Sequence, residues 1–153
     1  MSNQTFFEDV VEGQEITPLE KRVTTVNILM YLSTVWLMDR IHFDHPFATQ
    51  RRGLPNVVAP GNMAGDYYAE LLSNWAGDEG ALRKLAIQFR SFMVPEDILV
   101  CGGKVTKKYI NAGKGYVELD LWIKNQNNVN CVPGKGVVEL PIREVRGEQP
   151  VKG

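Results

Sequence analysis

Residues 59–80 read "APGNMAGDYYAELLSNWAGDEG". Ala64, Tyr68, Leu71, Leu72 and Trp75 recur at steps of three and four, which places them on one face of a helix. Gly77 is a natural stop, since a helix C-terminus favours a residue free to turn left-handed. The spacing predicts a helix over residues 62–76. Pro60-Gly61 stands at its start, where unpaired backbone N–H groups and the positive end of the dipole converge. A helix this apolar on one face needs something to cover it.

Beyond Gly80 the period changes from helical to alternating. "ALRKLAIQFRSFM" reads as a strand and Pro95-Glu96-Asp97 as a turn. "ILVCGGKVTKKYI" follows, its paired glycines marking a bulge or a close backbone approach. After the turn "NAGKG", Val117, Leu119, Leu121 and Ile123 face one way while Glu118, Asp120 and Lys124 face the other. "VNCVPGKGVVELP" supplies the last strand. Upstream, "QEITPLEKRVT" is extended, and Thr24 or Thr25 caps a helix carrying Ile28, Leu32, Val35 and Trp36 at helical spacing. A polar loop spans Asp39 to Asn56. The economical arrangement is α+β: an antiparallel β-sheet wrapped around the long central α-helix, one domain over 1–153.

Composition narrows the partners. The chain has 153 residues and a formal charge of −1, which gives no electrostatic reason to expect nucleic acid or an anionic membrane. No apolar run is long enough to span a bilayer, and the N-terminal residues lack the pattern of a secretion signal. Cys101 and Cys131 are isolated and suit a reducing compartment, so a cytoplasmic protein is the expectation. No phosphate-binding glycine motif or serine nucleophile elbow is present.

The chemistry concentrates in "DRIHFDHPFATQRRG", residues 39–53, which holds both histidines of the chain. Imidazole is the side chain that titrates near neutrality without help, so His42 is the first candidate acid/base. The alternative is a histidine that merely bonds within a loop. His42 and His45 are three apart and flanked by Asp39 and Asp44, but no second element completes a metal set, and no metal is expected. His45 reads as a solvated loop residue. Arg51 and Arg52 are forked cations suited to phosphate, or else simply solvated. Lys104, Lys107 and Lys108 are comparable.

Several stretches in this order resemble the hotdog fold and, within it, the MaoC-like hydratase/dehydratase family. They are "FFEDVVEGQEI", "RIHFDHPFA", "GLPNVVAPGNMAG", "LRKLAIQFRSFMVPEDIL" and "GKGVVELP", covering nearly the whole chain. The resemblance implies a hotdog domain acting on an acyl coenzyme A thioester. The activity would be that of an (R)-specific-type 2-enoyl-CoA hydratase or 3-hydroxyacyl-CoA dehydratase of fatty acid metabolism. The arginine-isoleucine-histidine variant looks like a branch acting on mesaconyl or other unusual acyl groups. No cofactor is implied, because coenzyme A arrives as part of the substrate.

The resemblance also implies roles. His42 would be the acid/base, and the Gly61 N–H, with that of Asn62, the donor to a developing enolate oxygen. Asp44 would fix the loop or orient the imidazole. The family's catalytic aspartate stands five residues before its histidine, and that position is Leu37. Leucine cannot accept a proton. Asp39 is the nearest substitute, and its alternatives are pairing with Arg40 or capping a helix. A lone sheet leaves an edge and a face needing cover, so a homodimer or larger oligomer joined edge to edge is expected, with a heteromer or degenerate subunit beside an active paralogue as the alternative. A hotdog thioesterase, using Asp66 or Glu70 on the central helix, is a further one.

Overall fold

The computed structural model describes residues 4–143. Its elements are β1 (Leu19–Arg22), α1 (Thr25–Val35), α2 (Gly61–Ala76), β2 (Ala81–Ile87), β3 (Ile98–Asn111), β4 (Lys114–Lys124) and β5 (Gly134–Leu140). The strands form one antiparallel sheet in the order β1-β3-β4-β5-β2. This is the hotdog arrangement, with α2 as the enclosed helix.

The core explains the wrap. Met63, Ala64, Tyr67, Tyr68, Leu71, Leu72 and Ala76 are buried on α2, and Trp75 is partly buried against the same cluster. The covering face of β4 comprises Val117, Leu119, Leu121 and Ile123, all buried, while Asp120 on the opposite face is exposed. Tyr68 is fully enclosed, and its hydroxyl donates to the carbonyl of Val132, so this buried polar atom has a partner. The glycines of β3 serve close approach. A Cβ at Gly102 would fall 2.6 Å from the Trp122 ring, and one at Gly103 would fall 2.8 Å from the Leu121 side chain. The irregularity of β3 lies further on, between Val105 and Lys107.

Three segments depart from the expectation. β2 ends at Ile87 rather than continuing through Met93, because its partner Gly134 is preceded by Pro133, which has no N–H to extend the ladder. α1 buries Ile28 and Leu32, but Val35 and Trp36 are 45% and 80% exposed. Trp36 takes a left-handed conformation (φ 54°) at the helix C-terminus, which carries its side chain out of the buried face. The polar loop contains two helical turns, Arg40–His42 and Phe47–Arg51. As expected, Thr24 caps α1, exchanging hydrogen bonds with Asn27.

Leu72 is fully buried and sits against Gly136 of β5, so Leu72→Ala should leave a cavity that the sheet cannot collapse into. We expect a loss of about 2–5 kcal/mol in urea unfolding.

Candidate active site

The loop that carries His42 is built by its acidic residues. Oδ1 of Asp39 accepts the Ile41 N–H at 3.2 Å and caps the Arg40–His42 turn. Oδ1 of Asp44 accepts the Phe47 N–H at 3.1 Å, starting the next turn. Oδ2 of Asp44 accepts from Nε and Nη2 of Arg40 at 3.0 and 2.7 Å, and the Arg40 guanidinium lies 4.3 Å from the centre of the Phe47 ring. Asp44 therefore fixes the loop. The Arg40 guanidinium, followed by the Phe47 amide, holds its carboxyl below the ordinary value.

His42 itself is 8% exposed, one of the few buried polar residues described. Its Nδ1 lies 2.7 Å from the carbonyl oxygen of Val58. A carbonyl only accepts, so Nδ1 carries the proton and Nε2 is left with a free lone pair. The Ile41 carbonyl accepts the Val58 N–H at 3.2 Å, tying the same two segments a second time. The ring's orientation is thus set by main chain rather than by a carboxylate.

His42 lines a cleft of about 350 Å³ together with Leu37, Ile41, Pro60, Gly61, Asn62, Phe89, Phe92 and Met93, among others. His42 and the start of α2 thus face one cavity. α2 has no side-chain cap, and the Met63 N–H turns back to the Pro60 carbonyl at 3.1 Å. The Gly61 and Asn62 amides have no hydrogen-bond partner among the described residues. Such a pair of free amides at a helix N-terminus is a place where negative charge is stabilised. A Cβ at Gly61 would fall 2.7 Å from the Phe89 ring, so Phe89 rests directly on that helix start.

The remaining sequence candidates lie elsewhere. Asp39 does not line the cleft: of the alternatives open to it, the helix cap is the one formed. Arg51 and Arg52 are exposed at the end of their turn, outside the cleft lining. Lys108 donates to the carbonyls of Phe7 and Val10, a structural use. Glu70 pairs with Lys21 at 2.7 Å, and neither it nor Asp66 lines the cleft, which removes the support for a thioesterase carboxylate. Among the described residues no group of three or more His, Cys, Asp and Glu forms a metal-binding set. Burial pushes the Cys101 thiol up to about 12 and raises that of Cys131, so neither is an activated nucleophile.

Leu37 lines the cleft with His42. The position where the family pattern expects an aspartate therefore does face the cavity, and it is apolar. Sequence reasoning missed Phe89, Phe92, Met93 and Val132 as cleft residues, since strand 81–93 was expected to run on. The three-residue step from Phe89 to Phe92, which breaks alternation, was the available signal. Phe89, Ser91 and Phe92 also wall a second, more polar cleft of about 690 Å³ that includes Arg90, Asp97, Asn125, Gln126 and Asn127. Asp97 is buried there with both oxygens engaged, by the Val94 N–H and Nε2 of Gln126.

Comparison with known proteins assigns the architecture to a class. No family model and no curated protein sequence matches the chain. Among solved structures, it is similar to the (R)-hydratase from A. caviae involved in PHA biosynthesis, with a TM-score of 0.78 and 20% identity over 88% of this chain and 99% of that one. The MaoC-like dehydratase from Rhodospirillum rubrum gives a TM-score of 0.79 at 16% identity, over 91% and 98%. The ChsH1-ChsH2 complex from Mycobacterium tuberculosis gives 0.75 at 14%, over 86% and 98%. The chain thus has the hotdog fold of MaoC-like dehydratases and (R)-hydratases.

The Asp44 brace gives a pH signature. Its folded-state pKa lies below the unfolded one, so the brace stabilises the loop above the ordinary carboxylate range and is lost as pH falls through the lowered value. Asp44→Asn should speed amide exchange at Phe47 and Ala48 several-fold at neutral pH, with the difference from the parent vanishing in acid.

Proposed function

We propose that the chain catalyses reversible hydration of a 2-enoyl-CoA to a 3-hydroxyacyl-CoA. The observation that carries this is the shared cleft of His42 and Gly61, with one imidazole nitrogen pinned and the other free. The fold likeness to (R)-hydratases supports the substrate class. In the hydration direction, Nε2 of His42 takes a proton from water as the oxygen attacks C3. The double-bond electrons move toward the thioester oxygen, which the Gly61 and Asn62 amides stabilise. The imidazolium then returns the proton to C2. Atoms balance with a single group acting as base and then as acid. Asp39 and Asp44 hold the turn and loop that present His42 and act as positioning residues. The acyl chain lies in the apolar cleft, while Arg51, Arg52 and Arg90 supply cations for the coenzyme A phosphates.

A second reading has a specific observation behind it. Leu37 faces the cleft, so the chain is also suited to binding a thioester beside a partner that carries the full aspartate-histidine pair. One structural neighbour is the ChsH1-ChsH2 complex. The surface offers a place for such a partner, or for a second copy: Val26, Leu29, Met30 and Trp36 of the α1 region are large, apolar and exposed. Co-purification with a chain bearing that pair would favour this reading, and hydration by the isolated chain would eliminate it.

His42→Ala should lower kcat/KM for hydration of a short 2-enoyl-CoA by about 10²–10⁴-fold, the usual worth of a positioned acid/base, with the far-ultraviolet spectrum unchanged. Hydration at the parent rate would show that the imidazole is not the proton carrier.

A further inference from the structure

The cleft lining contains one titratable side chain. Its other polar side chains are Asn62 and Ser91, and the wall nearest His42 includes Leu37 and Ile41. The carboxylates of the neighbourhood are engaged outside this lining: Asp39 on a turn amide, Asp44 on Arg40 and Phe47, and Asp97 on Val94 and Gln126. Adding water across a double bond needs a water molecule held in line with C3, and an apolar wall in place of a carboxylate offers it few partners. Moving a proton along the acyl chain needs no water. It needs one base with a free nitrogen, and a fixed donor for the enolate oxygen.

We infer that the His42–Gly61 cleft also catalyses a double-bond shift in 3-enoyl-CoA thioesters, converting them to the conjugated 2-enoyl isomers. The inference rests on the thioester-enolate reading above. Nε2 of His42 removes a proton from C2, and the C–H electron pair forms the C1–C2 double bond of a dienolate. The carbonyl π electrons pass to the thioester oxygen, where the free Gly61 amide meets them. In the return step the oxygen electrons re-form the carbonyl, the C1–C2 pair moves to C2–C3, and the former C3–C4 pair takes the proton from the imidazolium at C4. The double bond has moved by one carbon, the base is regenerated, and no oxidant, metal or water is consumed. A single imidazole reaches both carbons because C2 and C4 flank C3 on the same acyl chain. The burial of His42 limits exchange of the carried proton with solvent. The absent carboxylate matters to hydration and not to this shift.

The test uses the purified chain with trans-3-hexenoyl-CoA and, separately, trans-2-hexenoyl-CoA, followed by ultraviolet absorbance and mass. The expected result is conjugated product of unchanged mass from the 3-enoyl ester, with conversion in His42→Ala reduced by about 100-fold or more. In deuterated water, part of the product should carry protium rather than deuterium in the newly formed C4–H bond, the mark of one base carrying the proton across. Leu37→Asp should raise the ratio of hydration to isomerisation by about tenfold or more. Hydration of the 2-enoyl ester with no conversion of the 3-enoyl ester overturns this inference and leaves the proposed hydratase standing. Isomerisation without hydration supports the inference and overturns the hydratase. Turnover of neither ester overturns both.

Discussion

The hydrogen bond from Nδ1 of His42 to the carbonyl of Val58 is the contact on which the site depends. It settles which nitrogen holds a proton, and it ties the His42 loop to the extended segment leading into α2. That segment ends at Pro60, and the next residue opens the helix with its amides free. One short stretch of main chain therefore orients the His42 ring and also leads into the free Gly61 and Asn62 amides. Neither arrangement involves a carboxylate, and position 37 in the same cleft is apolar.

The sheet's part in this is mechanical. α2 is held by burial of Tyr68, Leu71 and Leu72 in the core and packs against β2, β3 and β5, so its N-terminus cannot drift from the cleft without opening the core. The Ala59 N–H donates to the Met93 carbonyl at 2.8 Å, pinning the approach to the helix against the segment that follows β2. Phe89, from that segment, closes over Gly61. A rigid scaffold thus carries a site made mostly of loop main chain, and side-chain identity matters at few places. At one of those places, position 37, an apolar side chain faces His42 across the cleft lining.

Most of the fold was legible because its signals are periodic. Helix α2 appears in the sequence within one residue of its bounds, and β4 alternates so cleanly that its buried face could be named. What was not legible depended on tertiary competition. The end of β2 is decided by Pro133 across the ladder, forty-odd residues away, and Trp36 leaves its helical stripe through a left-handed backbone that no local pattern encodes. His42, Gly61 and Asn62, named from residue chemistry, helix-end physics and the family resemblance, line one cleft. Asp39 lies outside that lining, because a short polar side chain beside a turn amide satisfies that amide first. Phe89 and Phe92 were hidden by the same misjudged strand.

The central claim is that residues 42 and 61 act on one bound thioester, and nuclear magnetic resonance of the isotope-labelled chain reads both at once. Titration with acetoacetyl-CoA, whose enol form imitates the proposed intermediate, should shift the Gly61 amide and Nε2 of His42 together, saturating at the same ligand concentration. Binding that moves neither signal, or one without the other, would contradict the account.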